Sequence, residues 1–230
     1  MKLPVIIASY NRPQLLKQTL ETLIKNSDNP LDIIVIDDCS TNDTWSVVDK
    51  IDYPDISWSR LTQTKPIGFV RNEGVRLIAS DSEYIYFSDD DVYFLPHWDS
   101  LMIKVMEAFT KIKVLGGRRH PHHKILDKIH TVDLLGIHTI VRLENQAGYS
   151  LFLRKKDFDE VGHFQEYSLD TRGLEDSQLV EYFREKDGII AAFEPPILYH
   201  CGIQGTNGLP AADYHDLLNL KHEHPEILVL

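Results

Sequence analysis

Short apolar runs alternate with amphipathic helical segments through the first half of the chain, and this order constrains the fold more than any other feature. Residues 5–8 and 33–36 are continuous apolar runs of the length that buried strands have. Between them, residues 13–24 carry leucine and isoleucine at helical spacing, with Pro13 in the first turn. A repeated strand–helix order predicts an α/β fold, with a mostly parallel central sheet and helices on both faces.

The alternation continues to the middle of the chain and then becomes less regular. Residues 70–79 and 96–109 have helical spacing, and residues 84–87 form a further apolar run. Residues 116–129 are rich in arginine, histidine and lysine, and we interpret them as a loop. Because no linker-like stretch interrupts the chain, we expect a single domain over residues 1–230. The remaining pattern predicts strands over 137–143, 150–153, 189–193 and 197–199, and helices over 175–186 and 213–220.

Charge and cysteine content narrow the class of protein. The 230 residues carry a formal net charge of −11, which is a poor match to a protein that coats duplex DNA. Two distant cysteines, Cys39 and Cys201, give no disulfide framework. No apolar run approaches the roughly 18 residues that span a bilayer, so we expect a cytoplasmic protein without a transmembrane segment.

Polar residues follow three of the predicted strands at the point where each strand ends. They are residues 9–12 (SYNR), 37–40 (DDCS) and 88–91 (SDDD). The carboxyl ends of parallel strands share one edge of the sheet, where ligands bind in such folds. Five aspartates at one edge repel one another, and a hard divalent cation with oxygen ligands is the usual solution. Helix capping is the alternative, but it accounts for one aspartate per turn and not for three in a row.

Motifs of several other site classes are missing. The chain has no Gly-rich phosphate loop, no G-x-S-x-G elbow, no H-E-x-x-H and no C-x-x-C. A phosphate-bearing ligand at the predicted edge would therefore need a metal ion held by carboxylates.

Several runs in this order resemble family 2 glycosyltransferases with the GT-A fold. Residues 5–12 and 34–41 resemble the nucleotide-binding start of that family. The resemblance continues through residues 68–74 (GFVRNEG) and 84–91 (YIYFSDDD), the second being similar to the family's D-x-D segment. Further similar segments are 148–154, 161–164 and 173–176 (GLED), the last resembling the family's x-E-D motif. Each motif alone is weak, but their common order over about residues 3–203 is specific.

The resemblance implies a pocket for a nucleotide-diphosphate sugar, with a UDP-sugar favoured and a GDP- or TDP-sugar as alternatives. Tyr10 and the backbone near Ala8 would border the base. Asp38, or its neighbour Asp37, would accept a hydrogen bond from the base, and Asp89 would face the ribose. The other expected donor-binding residues are Arg12, Arg71, Asn72 and Asp90.

The resemblance also implies a Mn²⁺ or Mg²⁺ ion that bridges the donor diphosphate. Asp91 would bind the ion, with Asp89 as a second carboxylate ligand. His200 stands where many GT-A enzymes have a third metal contact, and an imidazole ligand favours Mn²⁺. A partly buried histidine with a structural role is the alternative for His200.

Transfer of a sugar to an acceptor hydroxyl needs a general base, and we expect Asp176, with Glu175 as the second choice. This pair opens a predicted helix, where the helix dipole lowers a carboxyl pKa and burial raises it. The sequence leaves that balance open. Acidic residues at a helix N-terminus also occur without catalysis, which is the alternative explanation of the pair. Displacement assisted by one base implies inversion at the sugar, although the fold also supports retention.

The chain departs from the family pattern at several places. Cys39 stands at a position where the family commonly has glycine, and Ser88 precedes the aspartates where an apolar residue is usual. The Q-x-x-R-W segment of processive polysaccharide synthases is absent. The sequence therefore favours an enzyme that adds one sugar at a time.

The resemblance divides the expected domain into a nucleotide-sugar-binding half at about 1–95, a metal and acceptor half at about 96–205, and a helical tail at about 206–230. The acceptor stays open between a glycan, a lipid-linked molecule, a protein and a modified nucleic acid. The last would use the basic segment from Arg118 to Lys124. Two other classes compete, a non-catalytic nucleotide-sugar or glycan-binding module and, less favoured, a nucleotidyltransferase, which normally has a Gly-rich phosphate loop.

Overall fold

Strands and helices alternate along the chain as the sequence predicts, and most of the strands join one sheet. The computed structural model describes residues 2–78, 81–117, 125–133, 137–143, 149–167 and 174–201. The strands are β1 Leu3–Ser9, β2 Leu31–Asp37, β3 Ile56–Arg60, β4 Tyr84–Asp89, β5 Val92–Phe94, β6 Ile112–Gly116, β7 Ile125–Asp133, β8 Ile137–Leu143, β9 Ser150–Arg154, β10 Ile189–Glu194 and β11 Leu198–His200. The helices are α1 Pro13–Lys25, α2 Trp45–Val48, α3 Ile67–Val75, α4 Trp98–Ala108, α5 Lys155–Val161 and α6 Leu174–Arg184. None of the helices in these ranges is long and apolar enough to cross a membrane.

The main sheet of the described residues has nine strands, in the order β3-β2-β1-β4-β9-β6-β10-β8-β7. β1 lies between β2 and β4 and pairs with both in parallel, with Val5 opposite Ile33 on one side and Tyr86 on the other. β8 and β9 run against the other seven strands, so the predicted mostly parallel sheet is confirmed. β5 and β11 form a separate antiparallel pair.

Helices cover both faces of the sheet, which explains why its central strands are apolar at nearly every position. In β1, Val5 and Ile7 face one core cluster, and Ile6 faces the other. The first cluster includes Leu16 of α1 and Trp98 of α4, and the second draws its helical residues from α3, α5 and α6. Trp98 is fully buried and is therefore a core residue.

Two glycines allow α3 to lie close to its neighbours. A β-carbon at Gly74 would lie 2.5 Å from Ile6 Cγ2, and one at Gly68 would lie 2.2 Å from the backbone oxygen of Gln165. Real β-carbons essentially never approach other atoms so closely. The missing side chains at these two positions therefore set how near α3 lies to β1 and to the segment that follows α5.

The second half of the chain is where the sequence interpretation differs from the structure. Residues 125–129 belong to β7, so the prediction that they form a loop was wrong. β7 is an edge strand whose described side chains are mostly exposed, which is why no apolar pattern marks it. The pattern predicts neither β3, β5, β6 nor α5, which are all short. The segment 118–124 and the helix expected over 213–220 lie outside the described residues.

The turn after β2 contains a residue in the left-handed region of backbone conformation. Cys39 has a φ of 63°, and its N–H donates a hydrogen bond of 2.9 Å to the carbonyl of Asp37. Glycine adopts this conformation without steric cost, whereas a side chain disfavours it by about 1–2 kcal/mol. The turn geometry therefore gives a physical reason why glycine is common at this position in the family that the sequence resembles.

Substitutions at residue 39 provide a test of that strain. We expect Cys39→Gly to leave the free energy of unfolding unchanged or to raise it by up to about 1 kcal/mol, because relief of strain outweighs the extra entropy of the unfolded chain. Cys39→Val should lower it by more than about 1 kcal/mol, because β-branched residues tolerate positive φ worst. Urea denaturation of both variants checks this, and a valine variant as stable as the glycine variant would contradict it.

Candidate active site

The carboxyl ends of β1, β2 and β4 bring the predicted polar clusters together. In the parallel pairing, Ser9 lies opposite Asp37, and Ala8 lies opposite Asp89. The loops that follow these strands therefore start from one edge of the sheet, as the sequence predicts. They are tied to one another by a hydrogen bond of 2.9 Å from the N–H of Asn11 to the hydroxyl of Ser40.

Residues 89–91, which begin with the last residue of β4, form an acidic turn that is held from two sides. The hydroxyl of Ser9 donates a hydrogen bond of 2.6 Å to Asp90 Oδ2. From α1, the hydroxyl of Thr19 donates to the carbonyl of Asp90 and accepts from the N–H of Val92, each over 2.9 Å. Burial and the neighbouring Asp91 carboxylate raise the pKa of Asp90. The sequence analysis did not predict Thr19 as a site residue. The only feature that could have indicated it is its position as a polar residue on the apolar face of α1.

Two cationic or potentially cationic groups face Asp91. Arg12 Nη1 lies 2.5 Å from Asp91 Oδ2 and 3.4 Å from Asp90 Oδ1. His200 Nε2 lies 3.0 Å from Asp91 Oδ1. Burial opposes ionisation of this carboxyl, but His200 and then Arg12 hold its pKa below the ordinary value. Asp91 is therefore a carboxylate at neutral pH although it is almost completely buried.

Strand pairing explains how His200 reaches the acidic turn from more than a hundred residues away. β11 pairs with β5 so that His200 lies opposite Val92, directly after the aspartates. The ring of Tyr149 lies beside that of His200, with 5.1 Å between the ring centroids. The carbonyl of Tyr149 also accepts a hydrogen bond of 3.1 Å from the N–H of Asp89, although the sequence did not predict Tyr149 as a site residue.

Asp89, Asp91 and His200 are the three expected metal ligands, and the structure brings them together. Each offers one ligand atom, and these three atoms lie within 4.8 Å of one another. Asp91 Oδ1 is buried and faces His200 Nε2 at 3.0 Å, so the two atoms can share one cation. Two carboxylate oxygens and an imidazole nitrogen suit a divalent cation, and the nitrogen favours Mn²⁺ over Mg²⁺. The residues present therefore fit the metal ion that the fold family implies.

Arg71 links the acidic turn to the helix that carries the expected base. It extends from α3 and is buried, with 3% of its side chain exposed. Its Nη2 lies 3.2 Å from Asp89 Oδ1, and its Nη1 lies 3.2 Å from Glu175 Oε1. The guanidinium also lies over the ring of Phe164, 5.4 Å from the centroid. One arginine thus joins β4, α6 and the segment after α5.

Asn72, an expected donor-binding residue, holds that same segment in place. Its side chain donates a hydrogen bond of 2.9 Å to the carbonyl of Phe164 and accepts one of 2.9 Å from the N–H of Phe164. It also donates to Glu166 Oε1 over 3.1 Å. Its described hydrogen bonds therefore position the ring on which Arg71 lies. Phe164 was not predicted to have this role, because apolar residues of the core have the same sequence pattern.

Glu175 and Asp176 lie in the first turn of α6 and are both nearly buried. The N–H of Ser177 donates a hydrogen bond of 2.8 Å to Asp176 Oδ1. Burial, followed by the nearby Glu175 carboxylate, raises the pKa of Asp176 to about 6, while Arg71 opposes that rise. Burial therefore prevails over the helix terminus in the balance that the sequence leaves open.

The other carboxylate pair lies in the turn after β2. Asp37 accepts a hydrogen bond of 3.0 Å from the N–H of Ser40, and Arg60 Nε lies 3.4 Å from its Oδ2. Asp38 accepts one of 2.8 Å from the N–H of Lys65, and burial raises its pKa to about 6. Tyr10 lies at the neighbouring loop with 45% of its surface exposed, so its ring is available to a ligand.

The fold and this acidic edge define the class of GT-A glycosyltransferases. The profile of Glycosyl transferase family 2 matches residues 5–165, and the chain belongs to that family. Both the resemblance found in the sequence and the expected enzyme class are thereby confirmed at the level of the family.

Curated relatives are longer than this chain. The chain is 31% identical over 104 residues to UDP-Glc:alpha-D-GlcNAc-diphosphoundecaprenol beta-1,3-glucosyltransferase WfaP of Escherichia coli, a match that covers 45% of the chain and 41% of the relative. It is 28% identical over 168 residues to poly(ribitol-phosphate) beta-N-acetylglucosaminyltransferase TarS of Staphylococcus aureus, covering 67% of the chain and 28% of TarS. The chain thus spans less than half the length of either relative.

Two solved structures share the fold. The crystal structure of S. aureus TarS superimposes with a TM-score of 0.63 at 21% identity, over 84% of this chain and 35% of that chain. The mannosyltransferase PcManGT from Pyrobaculum calidifontis, in complex with GDP-Man and Mn²⁺, superimposes with a TM-score of 0.60 at 17% identity, over 83% and 56%. At these identities the likeness establishes the fold alone.

The bridge made by Arg71 can be tested by stability measurements. We expect Arg71→Gln to lower the free energy of unfolding by about 3 kcal/mol, because the change leaves Glu175 buried without its cation. Arg76→Gln is a matched control at the end of the same helix, where Arg76 pairs with Glu73 at the surface. It should cost less than about 1 kcal/mol. Equal losses in the two variants by urea denaturation would refute the bridge.

Proposed function

We propose that this chain carries a metal-dependent glycosyltransferase activity that moves a single sugar from a nucleotide-diphosphate sugar to an acceptor hydroxyl with inversion. The observation that carries the proposal is the bridge through Arg71. It joins Asp89, a member of the candidate metal group, to Glu175, the neighbour of the expected base. A donor-binding edge that one buried cation joins to the helix turn carrying the base is the arrangement that a single displacement requires.

Donor binding is assigned to the edge formed by β1, β2 and β4. Tyr10 and the backbone at Ala8 border the base, and Asp38 or Asp37 accepts its hydrogen bond. WfaP is named as a UDP-Glc enzyme, a TarS structure contains UDP-GlcNAc, and PcManGT contains GDP-Man. These names support a nucleotide-sugar donor, with a UDP-sugar favoured and a GDP- or TDP-sugar as alternatives. The remaining donor-binding residues are Arg12, Arg71, Asn72, Asp89 and Asp90.

Asp89, Asp91 and His200 would hold the metal ion, with Mn²⁺ preferred to Mg²⁺ because of the imidazole ligand. When bound, a divalent cation supplies positive charge that stabilises the departing nucleoside diphosphate. The protein contributes the orientation of these ligands, since Ser9 and Thr19 fix the turn that contains both aspartates.

Asp176 acts as the general base that takes the proton of the acceptor hydroxyl. Glu175 is engaged by Arg71, which favours Asp176 over its neighbour for this role. A carboxyl with a pKa of about 6 is ionised at neutral pH and is also a stronger base than an ordinary aspartate. Arg71 is a positioning residue here, because it orients the start of α6 and does not itself accept the proton.

The proposal leaves the acceptor open and places the enzyme in the cytoplasm. A glycan, a lipid-linked molecule, a protein and a modified nucleic acid all remain candidates for the acceptor. Cys39 and Cys201 carry free thiols, which supports the reducing cytoplasm as the place of action.

The proposal is tested by incubating the protein with UDP-, GDP- and TDP-sugars and measuring the nucleoside diphosphate released. We expect release with Mn²⁺, and loss of that release when EDTA is in excess. An acceptor panel follows with the donor that reacts. Donor binding without turnover on any acceptor would favour a non-catalytic binding module, whereas release of pyrophosphate would indicate a nucleotidyltransferase.

The assignment of the base predicts different results for two neighbouring variants. We expect Asp176→Asn to reduce kcat by at least about 100-fold while donor affinity stays within a few fold, because only proton transfer is lost. Glu175→Gln should retain more turnover and lose stability, because it removes the partner of Arg71. Near-normal turnover by the Asp176→Asn protein would eliminate Asp176 as the base.

The raised pKa of Asp176 predicts the acidic limb of the pH profile. The base works as the carboxylate, so activity should rise with pH through about 6 and level off above it. Below that pH, kcat should fall about tenfold per unit, because protonation removes the base. The measurement is kcat against pH at saturating donor and Mn²⁺. A plateau that persists to pH 4.5 would mean that another group takes the proton.

A further inference from the structure

The acidic turn is contacted by two arginines that differ sharply in burial. Arg71 is fixed, with 3% of its side chain exposed and three partners around its guanidinium. Arg12 contacts both Asp90 and Asp91, yet 44% of its side chain is exposed. A long side chain that is half in solvent can leave its partner, whereas a buried one cannot do so without unfolding part of the site.

The two oxygens of Asp91 face different groups. Oδ1 lies toward His200 and belongs to the candidate metal group, whereas Oδ2 lies 2.5 Å from Arg12 Nη1. The charge of Arg12 also interacts with Asp89 and Asp90, so it acts on the whole acidic turn. A divalent cation bound to this group would lie within a few ångströms of a guanidinium of the same sign. The two cations therefore compete for one set of carboxylates.

We propose that Arg12 is the counter-cation of Asp91 in the free protein and that it transfers to the donor diphosphate when metal ion and donor bind. This inference rests on the proposed function, because it requires a metal ion at Asp89, Asp91 and His200. The donor restores the balance of charge, because its diphosphate brings the anionic oxygens that guanidinium groups pair with best. Arg12 thereby couples the two binding events, opposing the metal ion alone and favouring the metal ion with its diphosphate.

This coupling predicts opposite changes in two affinities of one variant. Isothermal titration with Mn²⁺ alone should show at least about fivefold tighter binding to Arg12→Gln than to the unaltered protein. With Mn²⁺ saturating, UDP or GDP, whichever binds the unaltered protein better, should bind Arg12→Gln at least about fivefold more weakly. A purely structural role for Arg12 would weaken both, because damage to the turn harms each ligand.

Two further variants separate charge from structure. Arg12→Lys retains the positive charge but not the guanidinium fork, so we expect both of its affinities to lie between those of Arg12→Gln and of the unaltered protein. Lys17→Gln removes one charge from the next turn of α1, where Lys17 makes an exposed pair with Glu21, and should change neither affinity by more than about twofold. Arg12 provides no side-chain cap to α1, so the variants should fold, and far-UV circular dichroism checks this.

The outcomes distinguish this inference from the proposed function beneath it. If the unaltered protein binds Mn²⁺ with nucleotide but Arg12→Gln binds Mn²⁺ equally or less well, the role of Arg12 is refuted and the proposed function stands. Unchanged or tighter nucleotide binding by Arg12→Gln would refute it as well. If the unaltered protein binds no Mn²⁺ with either nucleotide, the metal-dependent function fails, and the inference fails with it.

Discussion

Repulsion among carboxylates at the edge of the sheet is the constraint on which the site depends. Residues 89–91 place three aspartates in one turn, and α6 adds two more acidic side chains nearby. Burial makes this crowding costly, because water is not available to screen the charges. The cations that offset it come from distant parts of the chain, Arg12 before α1 and Arg71 within α3. The need to neutralise one turn therefore adds charged links between α3 and α6, which the second apolar cluster also joins, and brings in Arg12 from the start of α1, whose core residues belong to the first cluster.

The sequence predicts well those strands and helices that a pattern of a few neighbouring residues identifies. β1, β2 and β4 are apolar runs, and their polar ends follow within a few residues, so their meeting at one edge follows from parallel pairing alone. β7 was not predicted, because an exposed edge strand has no buried face and therefore shows no alternation of apolar and polar residues. β3 and β5 are too short for periodicity to distinguish them from loops.

The sequence predicted which residues meet at the candidate site, but it did not predict which side chains pair with one another. Asp89, Asp91 and His200 converge as the resemblance implies, yet the contact of Arg71 with Glu175 joins residues 104 positions apart. No local sequence pattern predicts the pairing of Arg71 with Glu175, because each of them looks like an ordinary charged residue of a helix. The pKa of Asp176 also required structure, since a helix terminus and burial act in opposite directions and only the depth of burial decides between them.

Thr19 belongs to the packed core and also holds the candidate site in place. Its side chain is fully buried on the apolar face of α1, among leucines that pack against the sheet. A valine would fill the same volume, yet the carbonyl of Asp90 and the N–H of Val92 would lose their shared partner. A change that a packing argument regards as conservative would thus loosen the turn that presents the aspartates. Which substitutions α1 tolerates therefore depends on the hydrogen bonds that its residues make to the acidic turn as well as on the volume available in the core.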